Sequence, residues 1–286
     1  MDAVLPGNGL ITLRNANSAL QISPRGAAIW RCLVDGEDLF RSPNESAAPG
    51  DDPLAPGVFP CLPWFGRLPN GIDIDGDQSP LAPTVRTRNL EAAIHGHGWT
   101  SDWRVIDQSS DDARLALNFA PSAGRFPFAL SATLSFKLIE SGVEARATLT
   151  NTGAAEMPFG LGFHPFFERR SATRLKLKAT QLWTPPLATQ RAKTGPIPDA
   201  LDFSAPRELP RAEIDHSFIG FDGEAQIIDG AQTIVVKSDA LFAHLFAPKG
   251  RPYFCIEPIT QLPGRFGESI LAPGESASLQ MSVERG

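Results

Sequence analysis

The sequence predicts an all-β protein made of large, twisted antiparallel sheets stacked face to face. Three observations carry this. Leu130, Ala132, Leu134, Phe136 and Leu138 alternate with Ser131, Thr133, Ser135 and Lys137, and Val143, Ala145, Ala147 and Leu149 alternate with Glu144, Arg146, Thr148 and Thr150. A period of two places one set on each face of a strand, one dry and one wet. Four Asp-Gly pairs, Asp35-Gly36, Asp75-Gly76, Asp222-Gly223 and Asp229-Gly230, supply residues that tolerate the positive φ of tight hairpin turns. No window sustains a 3.6-residue apolar stripe with caps, so little helix is expected.

Taken in order, short strands are expected at 10–14, 19–23, 29–34 and 114–119. The hairpin 130–138 and 143–150 follows, with Ser141-Gly142 as its turn. Further strands are expected at 175–179, 232–237, 241–246, 253–257 and 276–284, the last alternating Ala277, Leu279, Met281 and Val283 with serines and Gln280. The Pro-rich stretches 41–57 and 184–210 read as surface loops. Strand patterning resumes after each without a change of composition, so residues 1–286 read as one domain.

The chain is 42% hydrophobic and 20% charged, enough apolar content for a sizeable core. Its net charge of −6 and lack of a long basic run argue against nucleic acid as a partner. No apolar run approaches the roughly 18 residues of a membrane span, and residues 1–20 lack a charged head before an apolar stretch. Cys32, Cys61 and Cys255 are odd in number and far apart, which speaks against a disulfide framework and for a reducing cytoplasm. Monomer and homodimer both remain compatible.

The stretch Pro158-Phe159-Gly160-Leu161-Gly162-Phe163-His164-Pro165-Phe166-Phe167 concentrates chemistry. Pro165 pushes His164 toward extended backbone. Gly160 and Gly162 admit close neighbours, and the aromatics would hold and partly dry the imidazole. Glu257, in Phe254-Cys255-Ile256-Glu257-Pro258, ends an apolar strand that Pro258 is expected to stop. Burial would raise its pKa toward a useful base, and the alternative is an exposed glutamate paired with Arg251 or Arg265. His95 and His97, in Ile94-His95-Gly96-His97-Gly98-Trp99, would share a face if they lay in a strand and could then clasp a metal, but a third ligand at sensible spacing is missing and the flanking glycines suggest a loop. His95 as a neutral donor, with Trp99 or Trp103 as a stacking face, is the preferred use. Arg67, in the rigid loop 63–71, presents a fixed fork of donors, or else stacks on Trp64 at the surface. Asp215 can accept from hydroxyls or begin a turn. His216 and His244 read as structural.

Taken together, these residues resemble the aldose 1-epimerase (galactose mutarotase) family. Gly66-Arg67-Leu68-Pro69-Asn70-Gly71 is similar to its Asn-Arg-Ile segment, and Ile94-His95-Gly96 to its Leu-His-Gly. Gly162-Phe163-His164-Pro165-Phe166-Phe167 is similar to its Gly-x-His-Pro-Tyr-Phe, and Ile256-Glu257-Pro258 to its late Glu-Pro. The four occur in the family's order, with Gly66 and Phe166 standing where the family has Asn and Tyr. The resemblance implies a galactose mutarotase-like supersandwich that interconverts the α and β anomers of a free sugar. It implies His164 as general acid, Glu257 as general base, and Arg67, His95 and Asp215 as substrate contacts, with no metal and no cofactor. Two alternatives stay open: a glycoside hydrolase or lyase using Glu257 and Asp215, and a non-catalytic sugar-binding module.

Overall fold

The computed structural model describes residues 9–43, 47–49, 51–74, 76–86, 91–186 and 192–286. Two large antiparallel sheets dominate. The first has eleven strands, running in space Ile11–Arg14, Ser18–Ser23, Ala28–Val34, Val58–Cys61, Gly162–Glu168, Tyr253–Ile259, Phe242–Ala247, Ile214–Ile219, Gln181–Thr184 and Lys193–Gly195, with Glu37–Asp38 added beside Ala28–Val34. The second has nine, ordered Arg104–Gln108, Asp112–Phe119, Leu130–Ile139, Gly142–Asn151, Ser276–Arg285, Gln232–Ser238, Glu224–Asp229, Arg174–Leu177 and Arg207–Glu208. Among the described residues the only helical turns are the 3₁₀ segments Gly98–Thr100 and Asp199–Leu201. None is long and apolar enough to cross a membrane.

Alternation does what it predicted in the second sheet. Leu134 and Phe136, Ala147 and Leu149, and Met281 and Val283 all point inward. They meet Phe163, Phe167, Phe254 and Ile256 of the first sheet in one continuous core. Each such side chain taken fully from water contributes about 1.5–3 kcal/mol, which is what clamps the layers together.

The first sheet behaves differently, and this is what builds the site. Its central strands are buried on both faces. In Gly162–Glu168, Phe163 and Phe167 enter the core between the sheets, while Phe166 joins a second, smaller cluster on the outer face with Phe59, Cys61, Phe65, Trp99, Cys255 and Ile259. A strand buried on both sides loses its polar half, so Gly162–Glu168 does not advertise itself by alternation.

Several expectations need correction. Pro258 does not stop its strand, which runs on to Ile259. Three adjacent central strands each carry a proline, Pro60, Pro165 and Pro258; each lacks a donor but keeps its carbonyl and a φ that extended backbone accepts. The hairpin turn lies at Glu140-Ser141, since Ile139 pairs with Gly142. The stretch 184–210 is not all loop: Lys193–Gly195 edges the first sheet and Arg207–Glu208 the second. Among the Asp-Gly pairs, Asp35 and Gly36 both hold positive φ, 53° and 82°, as a two-residue hairpin turn requires. Asp75 lies outside the described residues.

Candidate active site

The site is assembled on the outer face of the first sheet, along one line of facing residues. Phe59 pairs with His164, Glu257 with His244, His244 with Ser217, and Ser217 with Trp183. Gly162 opposite Ile259 and Phe166 opposite Cys255 bring His164 opposite Glu257 in the same register. Facing residues of neighbouring strands lie about 5 Å apart at Cβ on one face, so sheet pairing alone gathers side chains from distant parts of the chain.

His164 Nε2 lies 3.4 Å from Glu257 Oε1, with both residues buried. The imidazole is packed between Phe59, with ring centroids 4.5 Å apart, and Phe166, 4.6 Å away. The Arg41 guanidinium sits 3.9 Å above the Phe166 ring. Gly162 leaves room here, since a Cβ would press Phe65 and Ile259 at 3.1 Å. Burial pushes Glu257 well above the carboxylate range, and the nearby Asp215 charge adds to this. Burial, then His95 and His244, push His164 well below the usual imidazole range. The two shifts draw the carboxyl and the imidazole toward each other from opposite sides. Glu257 Oε2 and His164 Nδ1 are buried and have no hydrogen-bond partner among the described residues, which is unusual for buried polar atoms.

His95 reaches the site from the loop 94–98, which is hydrogen-bonded to the loop 62–68. His95 N–H donates to Gly66 O, Gly66 N–H donates to His95 Nδ1 at 3.3 Å, and Leu62 O receives the N–H groups of His97 and Gly98. With Nδ1 accepting, the neutral ring carries its proton on Nε2. Burial first, then the His244 and Arg67 charges, lower His95 to about 3. It thus stays a neutral donor, with its ring 5.1 Å from that of His164. The geometry depends on Gly96, at φ 72°, where a Cβ would lie 1.9 Å from Leu62 O. Gly96→Ala is expected to lower folding stability by about 2 kcal/mol or more and to displace His95. Urea denaturation checks it, and a change below 0.5 kcal/mol, within the roughly ±0.5 kcal/mol of an ordinary surface substitution, would contradict it.

His95 and His97 do not act together. His97 turns into the core between the sheets, stacked on Phe119 and edge-on to Trp64, and accepts the Phe126 N–H at 3.2 Å. Burial, then Arg125, lower it to about 4. The unfolded ring takes a proton at a pKa of about 6.5, so the unfolded chain binds more protons below that pH and stability falls as pH drops. His97 alone should cost about 3 kcal/mol by pH 4. Urea midpoints from pH 7 to pH 4 should show this decline, and His97→Gln, which can still accept from Phe126, should flatten it. An equally steep decline in the variant would contradict the assignment.

Arg67 is exposed, and its charge bears on both His95 and Asp215, at the mouth of the site. It does not stack on Trp64, which is fully buried. Asp215 is 34% exposed at its side chain and hydrogen-bonds His244 Nε2 at 3.1 Å. Burial alone would raise Asp215, but the His244 bond and the Arg67 charge bring it below the usual carboxylate range.

Trp99 does not offer a sugar-stacking face in this pocket. It is 3% exposed, its indole N–H is shared by Ile94 O and Gly96 O, and its ring lies behind Phe59 at 4.7 Å. It props the ring that props His164. Trp103 is also buried and bonds Gly98 O.

Sequence reasoning passed over His244, which lies beside Glu257 and not in an inert core position. The pairing of His244 with Glu257 across neighbouring strands shows its place. One mixed donor set also emerges, His164, Cys255 and Glu257, within 4.8 Å of one another. Tetrahedral zinc needs ligands about 3.5 Å apart, and burial pushes Cys255 and Glu257 toward their protonated forms, so this set is not read as a metal centre.

This fold is that of the galactose mutarotase-like β-sandwich proteins. A family profile described as Aldose 1-epimerase matches residues 9–284, and the chain belongs to that family. It is 28% identical to the uncharacterized protein YphB of Escherichia coli (strain K12), over 96% of this chain and 98% of that one. A galactose mutarotase-like protein from Lactobacillus casei ATCC 334 shares the fold with a TM-score of 0.80 at 19% identity, covering 97% of this chain and 100% of that one. Galactose 1-epimerase from Lactobacillus acidophilus NCFM does so at 0.76 and 18%, covering 97% and 94%.

Proposed function

We propose that this protein is a mutarotase that interconverts the α and β anomers of a free aldose by acid–base ring opening and closure. The observation that carries this is the buried contact of 3.4 Å between His164 Nε2 and Glu257 Oε1 on the floor of the site. Glu257 takes the proton of the anomeric hydroxyl as His164 delivers one to the ring oxygen. The bond from the anomeric carbon to the ring oxygen breaks, and an open-chain aldehyde forms. The carbonyl turns about its neighbouring carbon–carbon bond. The former ring oxygen then attacks the other face, its proton returns to His164, and Glu257 reprotonates the new anomeric oxygen.

A carboxyl raised and an imidazole lowered suit a reversible reaction, because each direction needs one group loaded and the other empty. Entering hydroxyls would supply the partners that Glu257 Oε2 and His164 Nδ1 lack. Arg67, His95 Nε2–H and Asp215 would hold the remaining hydroxyls. The reaction moves only protons and one carbon–oxygen bond, so it calls on no metal or organic cofactor.

A glycoside hydrolase would need a second carboxyl group across the scissile bond, about 5 Å or about 6.5–9.5 Å from the first. Here the group facing Glu257 is an imidazole, which favours the mutarotase reading. NMR exchange spectroscopy between anomers of hexoses, pentoses and sugar phosphates tests it. Accelerated exchange of at least one sugar is expected. Binding without acceleration would instead support a carbohydrate-binding module.

A further inference from the structure

We infer that Ser217 and His244 are positioning residues that together hold the Asp215 carboxylate in one orientation beside Glu257. Ser217 Oγ lies 2.9 Å from His244 Nδ1, and His244 Nε2 lies 3.1 Å from Asp215 Oδ1. The composition is that of a hydrolytic triad, but Ser217 is completely buried, so its hydroxyl has no route to a substrate carbonyl. The chain of bonds instead determines a tautomer. An ionised Asp215 only accepts, so the proton of a neutral ring must sit on Nε2, and Nδ1 then accepts from the Ser217 hydroxyl. His244 can neither rotate nor change tautomer without leaving a buried partner unsatisfied.

The placement connects this chain to the reacting groups. His244 stands directly opposite Glu257 on one side and Ser217 on the other. The groups around His244 are Asp215 and Ser217 from Ile214–Ile219, Glu257 from Tyr253–Ile259, the Phe65 ring at 5.3 Å, and the imidazoles of His95, His164 and His216. Arg67 faces Asp215 from the other side. Three of the five histidines, His95, His164 and His244, thus gather around two carboxyl groups. Asp215 is the second influence, after burial, that raises Glu257 above the carboxylate range. A carboxylate free to swing would hold a sugar hydroxyl less firmly and would act on Glu257 less strongly.

The inference rests on the mutarotase reading for its kinetic test but not for its direct one. His244→Leu removes both bonds, Ser217→Ala removes only the tautomer lock, and His244→Gln retains a donor toward Asp215. Titration of carboxyl ¹³C signals should show Asp215 moving to higher pH in His244→Leu and returning toward wild type in His244→Gln. With an active sugar, His244→Leu should raise KM about tenfold, the loss of one hydrogen bond, with a smaller change in kcat. The acid limb of its pH–rate profile should move to lower pH as Glu257 loses a fixed negative neighbour. Ser217→Ala should give the same changes in weaker form and keeps the test open if His244→Leu does not fold. An Asp215 titration unchanged in folded His244→Leu or in Ser217→Ala would overturn the inference, as would a His244→Gln variant no better than His244→Leu. Wild-type protein that accelerates no sugar would count against the mutarotase reading alone, with the titration still deciding the role of His244.

Discussion

Replacing Glu257 with Gln, or His164 with Asn, is expected to bring anomer exchange close to the uncatalysed rate. General acid–base groups each contribute about 10²–10⁴-fold, and in the proposed mechanism these two act in one concerted proton exchange. The double variant should therefore be hardly slower than either single one. The amides keep the shape of the groups they replace, so the fold should survive. Stability distinguishes lost chemistry from lost structure, with a definite sign. Burial raises Glu257, so the folded state increasingly pays for an ionised carboxylate as pH climbs past the unfolded value of about 4.3. Glu257→Gln has no ionised form and should be at least as stable as wild type at pH 8. Full activity in either single variant would remove the mechanism.

Phe59→Ala should give the largest loss of stability among the site residues, about 3–5 kcal/mol in urea. Phe59 is 1% exposed and lies at the centre of the outer aromatic cluster. Its ring stacks on Trp99 at 4.7 Å and 22° and on His164 at 4.5 Å and 25°, with His95 and Phe166 near its edges. Removing it opens a cavity directly against the His164 imidazole, which should then sample other rotamers. Activity should fall along with stability, and Phe59→Leu should fall between wild type and the alanine variant in both. A loss below about 1 kcal/mol, with exchange rates intact, would show that the stack does not hold His164.

Much of this site was readable along the chain because its pieces are local motifs. His164 before a proline and after two glycines, Glu257 in an apolar strand beside a proline, and Arg67 in a Pro/Gly loop each announce a constrained side chain. His244 was missed because nothing in Leu241–Phe246 differs from an ordinary apolar strand; its importance comes from who faces it. Trp99 was misread for the converse reason. An indole next to a glycine-rich histidine loop looks available, yet Phe59, forty residues earlier, covers it. His95 and His97 looked like a pair only while a strand was assumed. With His95 at φ 56° in a loop, the two rings go to opposite sides of the first sheet.

Alternating apolar residues and Asp-Gly turns were enough for the all-β class, since pleat and turn geometry depend only on neighbours in sequence. The order of strands across the first sheet was not readable, because its central strands are buried on both faces and have no polar half to mark their register. That register is a property of packing between segments roughly a hundred residues apart. It alone decides that an imidazole, a carboxyl group and a second imidazole stand in one row, and the chemistry follows from that row.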